Sequence, residues 1–114
     1  MNKWATLMLT EREHRMLGMC GIVLKKTIRE CYIEAFEGFA EDRRDAESRG
    51  VEYLYRPTPR RGRRAAVRID DESLQTIQSW AERDNVRHGA AYYTALRHFL
   101  DHFEKEYENV YQAI

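Results

Sequence analysis

The sequence predicts a mainly α-helical domain that contains one two-stranded antiparallel ribbon. The chain has 114 residues and repeats itself once at an offset of 60, the spacing between Tyr32 and Tyr92. Each copy reads as one short strand followed by two helices. A single copy of that size buries too little apolar surface to be stable alone, so we expect the two copies to complete one common core.

The repeat is defined by apolar positions that keep their spacing without a gap. The first copy contributes Leu9, Leu17, Tyr32, Ala35, Phe36 and Phe39, which align with Ile69, Ile77, Tyr92, Ala95, Leu96 and Phe99. In both copies these residues follow the period of a strand first and of helices afterwards. The pattern therefore predicts that strand and helix positions correspond between the copies.

The first copy begins with a β-prone run at residues 4–9, in which inward apolar positions alternate with outward ones. Thr10 and Glu13 form a capping-box pattern, which predicts a helix over about 11–24. A second capping-box pattern, TIRE, occupies residues 27–30 and starts a longer helix.

That longer helix is expected to end near Gly50. Pro57, Pro59 and Gly62 then exclude regular structure from a connector, which Tyr53, Leu54 and Tyr55 are expected to pack onto the body.

The second copy starts with the alternating segment RRAAVRI at 63–69. Asp70 is placed to cap the next helix. After the turn DNVRHG, the apolar pattern of the last helix persists through Tyr107, Val110 and Tyr111, so this helix is expected to run nearly to the end of the sequence.

Composition favours a soluble globular protein, with 43% apolar and 33% charged residues. No apolar run approaches the roughly 20 residues of a membrane span, and no signal peptide is recognisable, so we expect no membrane association and a cytoplasmic location. Cys20 and Cys31 lack the spacing of metal ligands and are interpreted as reduced core thiols, with a disulfide as the alternative.

The net charge is zero, from 19 basic and 19 acidic residues, but the charge is unevenly placed. No acid occurs between residues 56 and 69, a stretch that contains Arg56, Arg60, Arg61, Arg63, Arg64 and Arg68. Such a basic stripe on a neutral protein indicates one surface for a polyanion.

A strand followed by two capped helices, present twice in register, resembles the ribbon-helix-helix family of DNA-binding proteins. The resemblance covers residues 4–39 and 64–99, and it implies two paired strands above four intertwined helices. Fusion of both copies in one chain is similar to TraY-type relaxosome proteins and VirC-type T-DNA virulence proteins. It implies repeats at 1–42 and 63–114, joined by a helix extension and basic connector at 43–62, in one pseudo-dimeric domain that is a monomer in solution.

In that family the outward ribbon face reads base edges in the major groove. Strand alternation assigns this face to Trp4, Thr6, Met8, Arg64, Ala66 and Arg68. Arginine can pair with guanine, and the apolar side chains can contact thymine methyl groups. The two strands offer different side chains, so the chain is expected to read an asymmetric site. Simple solvent exposure of the arginines, and packing roles for Trp4 and Met8, remain the alternatives.

Phosphate contacts are expected from the starts of the second helix of each copy and from the connector. The candidates are Lys25, Lys26, Thr27, Arg60, Arg61, Arg63, Arg87 and His88. A solvated turn and a flexible linker are the alternatives for these residues.

The resemblance implies a non-enzymatic, sequence-specific binder of double-stranded DNA in the bacterial cytoplasm, without metal or cofactor. It would assist conjugative or T-DNA transfer at an origin or border, with a relaxase or other transfer proteins as partners. A transcriptional repressor or an antitoxin of the same fold is the alternative. Nucleophilic tyrosines at 92 and 93, and a metal pair at His98 and His102, are weaker hypotheses because a histidine cluster and a third ligand are missing.

Overall fold

The computed structural model describes residues 2–108. It is mainly helical, with four helices and one two-stranded antiparallel sheet, which confirms the predicted class of fold. The elements in chain order are β1 Asn2–Leu9, α1 Glu11–Leu24, α2 Ile28–Ser48, β2 Arg63–Asp70, α3 Asp71–Arg83 and α4 His88–Glu106.

The helix starts follow the predicted caps. At α1 the Thr10 hydroxyl accepts the Glu13 amide at 3.1 Å while the Glu13 carboxylate accepts the Thr10 amide at 2.9 Å. The same reciprocal box is present between Thr27 and Glu30 at α2. Asp70 caps α3 by accepting the amide of Ser73 at 3.0 Å. These local bonds satisfy amides that have no partner within the helix and fix where each helix begins.

The turn between the two helices of each copy has one geometry. Lys25 and Asn85, which are 60 residues apart, both adopt the left-handed conformation, with φ of 55° and 58°. In each turn the following amide donates to the carbonyl five residues earlier at 2.9 Å, from Lys26 to Gly21 and from Val86 to Ala81. These bonds end α1 and α3 in the same way and turn the chain into α2 and α4.

The core lies between the inner ribbon face and the helices. Ala5, Leu9 and Ile69 are fully buried on that face. Below them, the rings of Phe36 and Tyr92 stack with centroids 5.5 Å apart and join α2 to α4. Other core side chains are Met16, Leu17, Tyr32, Leu74, Ile77, Leu96, Leu100 and Phe103. Burial of such large apolar groups contributes about 1.5–3 kcal/mol each.

The connector between α2 and β2 has no helix or strand, as predicted. Tyr53 and Tyr55 pack on Phe39, with ring centroids 5.3 Å and 6.0 Å from it. The expectation for Leu54 was wrong: its side chain is 73% exposed, because the alternating direction of an extended segment turns it away from its neighbours.

Two further expectations concern the last helix and the cysteines. Helix α4 ends at Glu106, and Val110 and Tyr111 lie outside the described residues. Cys20 and Cys31 are buried and free, as the interpretation as core thiols required. Among residues 2–108, no helix combines the length and the apolar content that a membrane crossing requires.

Candidate nucleic-acid interface

The outward face of the ribbon carries the six side chains that strand alternation assigned to it. The register places Thr6 opposite Ala66, with Trp4 opposite Arg68 on one side and Met8 opposite Arg64 on the other. Five of these residues are exposed, and Met8 is half-buried. The structure therefore brings the predicted base-reading residues together on one surface.

Two guanidinium groups on this face are available to a ligand. Arg64 and Arg68 lie four positions apart on β2, which is roughly 13 Å along a strand. No carboxylate within residues 2–108 forms an ion pair with either of them. The guanidinium carbon of Arg68 lies 5.9 Å from the centre of the Trp4 ring, so the aromatic face holds one arginine over the ribbon.

The basic stripe is smaller in three dimensions than in sequence. Arg63 Nε lies 2.6 Å from a Glu11 carboxylate oxygen, and an Arg56 Nη lies 3.0 Å from Asp101. Acids from α1 and α4 thus pair with two of the six arginines. Arg60 and Arg61 are exposed in the connector, beside the start of β2.

The N-terminus of α2 is a poor anion site as it stands. The Glu30 carboxylate already accepts the Thr27 amide at 2.9 Å, and this hydrogen bond holds the pKa of Glu30 below its usual value. Lys26 forms an ion pair with Glu34, while Lys25 is exposed in the left-handed turn position. An incoming phosphate would meet the Glu30 carboxylate at the positive end of the helix dipole.

The N-terminus of α4 is different. Its N-cap residue is Arg87, whose side chain makes no capping bond, and the first turn contains no acid. His88 lies 3.6 Å from Glu82. The start of this helix lies under the middle of β1, because a Cβ atom on Gly89 would stand 3.8 Å from the Thr6 carbonyl oxygen. Of the two helix starts predicted to contact phosphate, this one has Arg87 and His88 beside it and no acid in its first turn.

Two residues that the sequence did not single out hold the outer edge of β2. Arg29 Nε donates to the Arg68 carbonyl oxygen at 2.8 Å, and a His14 ring nitrogen lies 3.2 Å from the Arg63 carbonyl oxygen. Each contact joins residues far apart in sequence, so no spacing pattern could have indicated it. Both contacts give a hydrogen-bond partner to carbonyl groups on the strand edge that does not pair with β1 and would otherwise face solvent.

The tyrosine pair proposed as nucleophiles is buried. The Tyr93 hydroxyl donates to Glu13 at 2.6 Å, and burial together with this carboxylate raises the pKa of Tyr93 to about 12. Gln78 Nε2 donates to the Tyr92 hydroxyl at 2.8 Å. Both hydroxyls are thus committed to structural hydrogen bonds.

The proposed histidine pair makes separate contacts. The His98 ring lies 6.4 Å from the Tyr53 ring, and His102 Nε2 lies 3.1 Å from Glu106. Within the described part of the chain, no three histidine, cysteine or acidic side chains come together in a way that could hold a metal ion.

Comparisons with protein-family models, with curated proteins and with solved structures find no match to this chain.

Proposed function

We propose that this protein binds double-stranded DNA sequence-specifically, by placing the outward face of the β1–β2 ribbon in the major groove. The observation that carries this proposal is the exposed face itself, where Arg64 and Arg68 lie beside apolar and hydroxyl side chains. A two-stranded ribbon has the width of the major groove, and arginine forms bidentate bonds to guanine that distinguish it from other bases. The protein would act by binding alone, without catalysis.

The register supports a single-chain pseudo-dimer of two ribbon-helix-helix units. Thr6 pairs with Ala66, its own counterpart at an offset of 60 residues. The same offset relates Trp4 to Arg64 and Met8 to Arg68. It therefore converts the pair Trp4–Arg68 into the pair Arg64–Met8 on the other side of the centre. A local two-fold axis through the central pair accounts for both relations. The matched left-handed turns at Lys25 and Asn85 support the same arrangement.

The two halves of the proposed reading surface differ in chemistry. β1 offers an indole, a hydroxyl and a thioether, whereas β2 offers two guanidinium groups around a methyl group. Because the axis passes through Thr6 and Ala66, one half-site would meet Arg68 beside the Trp4 indole, and the other would meet Arg64 beside the Met8 thioether. The preferred DNA site is therefore asymmetric, unlike the palindromes of homodimeric binders.

The resemblance to relaxosome and T-DNA proteins supports a role as an accessory factor in bacterial DNA transfer. In that role, bound protein would mark an origin or border for a relaxase or another transfer protein in the cytoplasm. Repression of transcription would use the same contacts with DNA. The position of the binding site, within a transfer origin or within a promoter, separates the two roles.

Selection of bound duplexes from a random pool tests the proposal. We expect enrichment of one asymmetric motif, and loss of that enrichment when Arg64 and Arg68 are both changed to alanine. Arg49→Ala is the control, because it removes an exposed guanidinium group that pairs with Asp45 at the far end of α2. Failure to retain any duplex at low salt, or equal retention of all sequences, would refute sequence-specific binding.

A further inference from the structure

A groove opens beside the ribbon on the β2 side, between α1, the first turns of α2 and the outer edge of β2. Its volume is about 570 Å³, within the range of small-molecule sites. Leu17, Ile28 and Val67 give it apolar walls, while His14, Arg29 and Arg68 also line it. No acidic residue lines the groove among the described residues. Its chemistry is apolar with a cationic rim.

Tyr32 lines this groove and leaves a polar group unsatisfied. Its side chain is 1% exposed, and its buried hydroxyl has no hydrogen-bond partner within residues 2–108. A buried hydroxyl without a partner destabilises the folded chain, and a bound ligand can supply the missing partner. Burial raises the pKa of Tyr32, so the hydroxyl keeps its proton and can donate.

The second copy shows how the same position is satisfied. Tyr92 corresponds to Tyr32, and its hydroxyl accepts a bond from Gln78. The position that corresponds to Gln78 in the first copy is Gly18. A Cβ atom on Gly18 would meet nothing within 4 Å, and Gly18 lines the groove beside Tyr32. The groove thus includes the space that a glutamine side chain would fill.

We propose that this groove is a binding site for a small apolar carboxylate. The ligand occupies the space above Gly18, accepts a hydrogen bond from the Tyr32 hydroxyl and packs its apolar body on Leu17, Ile28 and Val67. The guanidinium groups of Arg29 and Arg68 stabilise its negative charge, and no acidic residue among those described lines the walls. Trp4 and Arg68 belong both to this site and to the proposed DNA-reading face, so the two ligands would share these side chains.

The test uses 2-naphthoate as the anionic probe and 2-naphthamide as its neutral counterpart, with the full chain and without DNA. In ¹H–¹⁵N spectra we expect saturable shifts at the Gly18 and Ile28 amides with naphthoate, and at least fivefold weaker binding of naphthamide. Tyr32→Phe removes only the hydroxyl and should weaken naphthoate binding about fivefold to tenfold.

Gly18→Gln is the decisive variant, because it supplies the side chain that the second copy has. We expect it to fold, to gain thermal stability both from the higher helix propensity of glutamine and from the bond to Tyr32, and to lose naphthoate binding by at least tenfold. Gln78→Gly is the matched control in the other copy and should keep the Gly18 shifts of the unaltered protein.

Absence of saturable shifts at Gly18 would overturn the proposal. So would undiminished affinity in a folded Gly18→Gln variant, or equal affinity for the neutral probe. A spectrum with dispersed amide signals establishes that each variant is folded. Because no DNA is present, these outcomes are separate from success or failure of the random-pool selection.

Discussion

Arg43 and Asp84 form a two-point ion pair, in which Nε and Nη2 of Arg43 each lie 2.7 Å from a carboxylate oxygen of Asp84. Arg43 is only 7% exposed and lies over the Trp80 ring at 4.4 Å. The Tyr55 hydroxyl donates to the same carboxylate at 2.5 Å. The pair therefore joins the C-terminal half of α2, the end of α3 and the connector at one point.

Replacement of Arg43 by methionine should lower the free energy of unfolding by about 3 kcal/mol, because it leaves a half-buried carboxylate without its main partner. Urea unfolding followed by circular dichroism measures the loss. Arg49→Met, which breaks an exposed pair with Asp45 on the same helix, is the control and should cost about 0.5 kcal/mol or less. Equal losses in the two variants would contradict a structural role for the buried pair.

The carboxylate of Glu13 should make the protein sensitive to acid. Burial raises the pKa of Glu13, but hydrogen bonds from Tyr93, Thr10 and Arg97 outweigh burial and hold the pKa below its ordinary value. The carboxylate therefore adds stability above the unfolded-state pKa of about 4.3, and this contribution is lost as the pH falls through the folded-state pKa.

Urea midpoints measured between pH 7 and pH 3 check this dependence. The Glu13→Gln variant keeps the capping-box geometry. Its urea midpoint should fall less steeply below about pH 4.3 than that of the unaltered protein does. Glu37→Gln, on the exposed face of α2, should follow the unaltered protein. A Glu13→Gln curve parallel to that of the unaltered protein would show that this carboxylate does not set the acid response.

Gly38→Ala should stabilise the protein by about 1 kcal/mol, because alanine is favoured over glycine inside a helix. A Cβ atom at Gly38 would meet nothing within 4 Å. At Gly21 the same change brings Cβ to 3.0 Å from the Lys26 carbonyl oxygen, so the turn must move and the gain should vanish or reverse. Thermal unfolding of the two variants gives the comparison, and a lower melting temperature for Gly38→Ala would count against it.

On the proposed DNA-binding surface, Arg68→Ala should relax base preference at one end of the selected motif only. A bidentate contact to guanine contributes roughly 1–3 kcal/mol of discrimination. Arg64→Ala should relax preference at a different position, nearer the site of Met8. Binding titrations against single-base variants of the motif distinguish these effects. A uniform loss of affinity for every sequence would mean that Arg68 contacts phosphate instead.

Phosphate contact should be stronger at α4 than at α2. Arg87→Ala should reduce the slope of log K against log salt by about 0.9 in magnitude, the value for one lost phosphate contact. Lys26→Ala should change the slope less, because Glu34 already pairs with that ammonium group. Affinities at four or more salt concentrations supply the slopes, and a larger change for Lys26 would reverse the assignment.

The sequence predicted the elements well because their determinants are local. Thr10 and Thr27 define helix starts through bonds that span three residues, and strand alternation predicted which ribbon side chains are exposed. Sequence patterns could not predict polar contacts between segments that are distant in the chain. Glu11 lies 52 positions from Arg63, and Asp101 lies 45 from Arg56, so the basic stripe looked larger in sequence than it is in space.

The groove beside β2 was missed for a different reason. The two copies share their apolar positions, whereas the groove arises where the copies differ. Gly18 has little meaning in the sequence until Tyr32 is seen without the partner that Gln78 gives to Tyr92. Differences between aligned polar positions are thus a signal that an internal repeat offers in addition to its shared core.

The pairing of β1 with β2 also has a consequence for synthesis of the chain. At about 5–20 residues per second, translation of β2 follows that of β1 by roughly 3–12 s. During that interval Leu7 and Leu9 have no strand beside them, and the edge of β1 can pair with an equivalent strand on a neighbouring ribosome. Correct folding therefore requires that β2 of a chain is made before its β1 meets the β1 of another chain. Slower translation between residues 10 and 63 would favour intermolecular pairing.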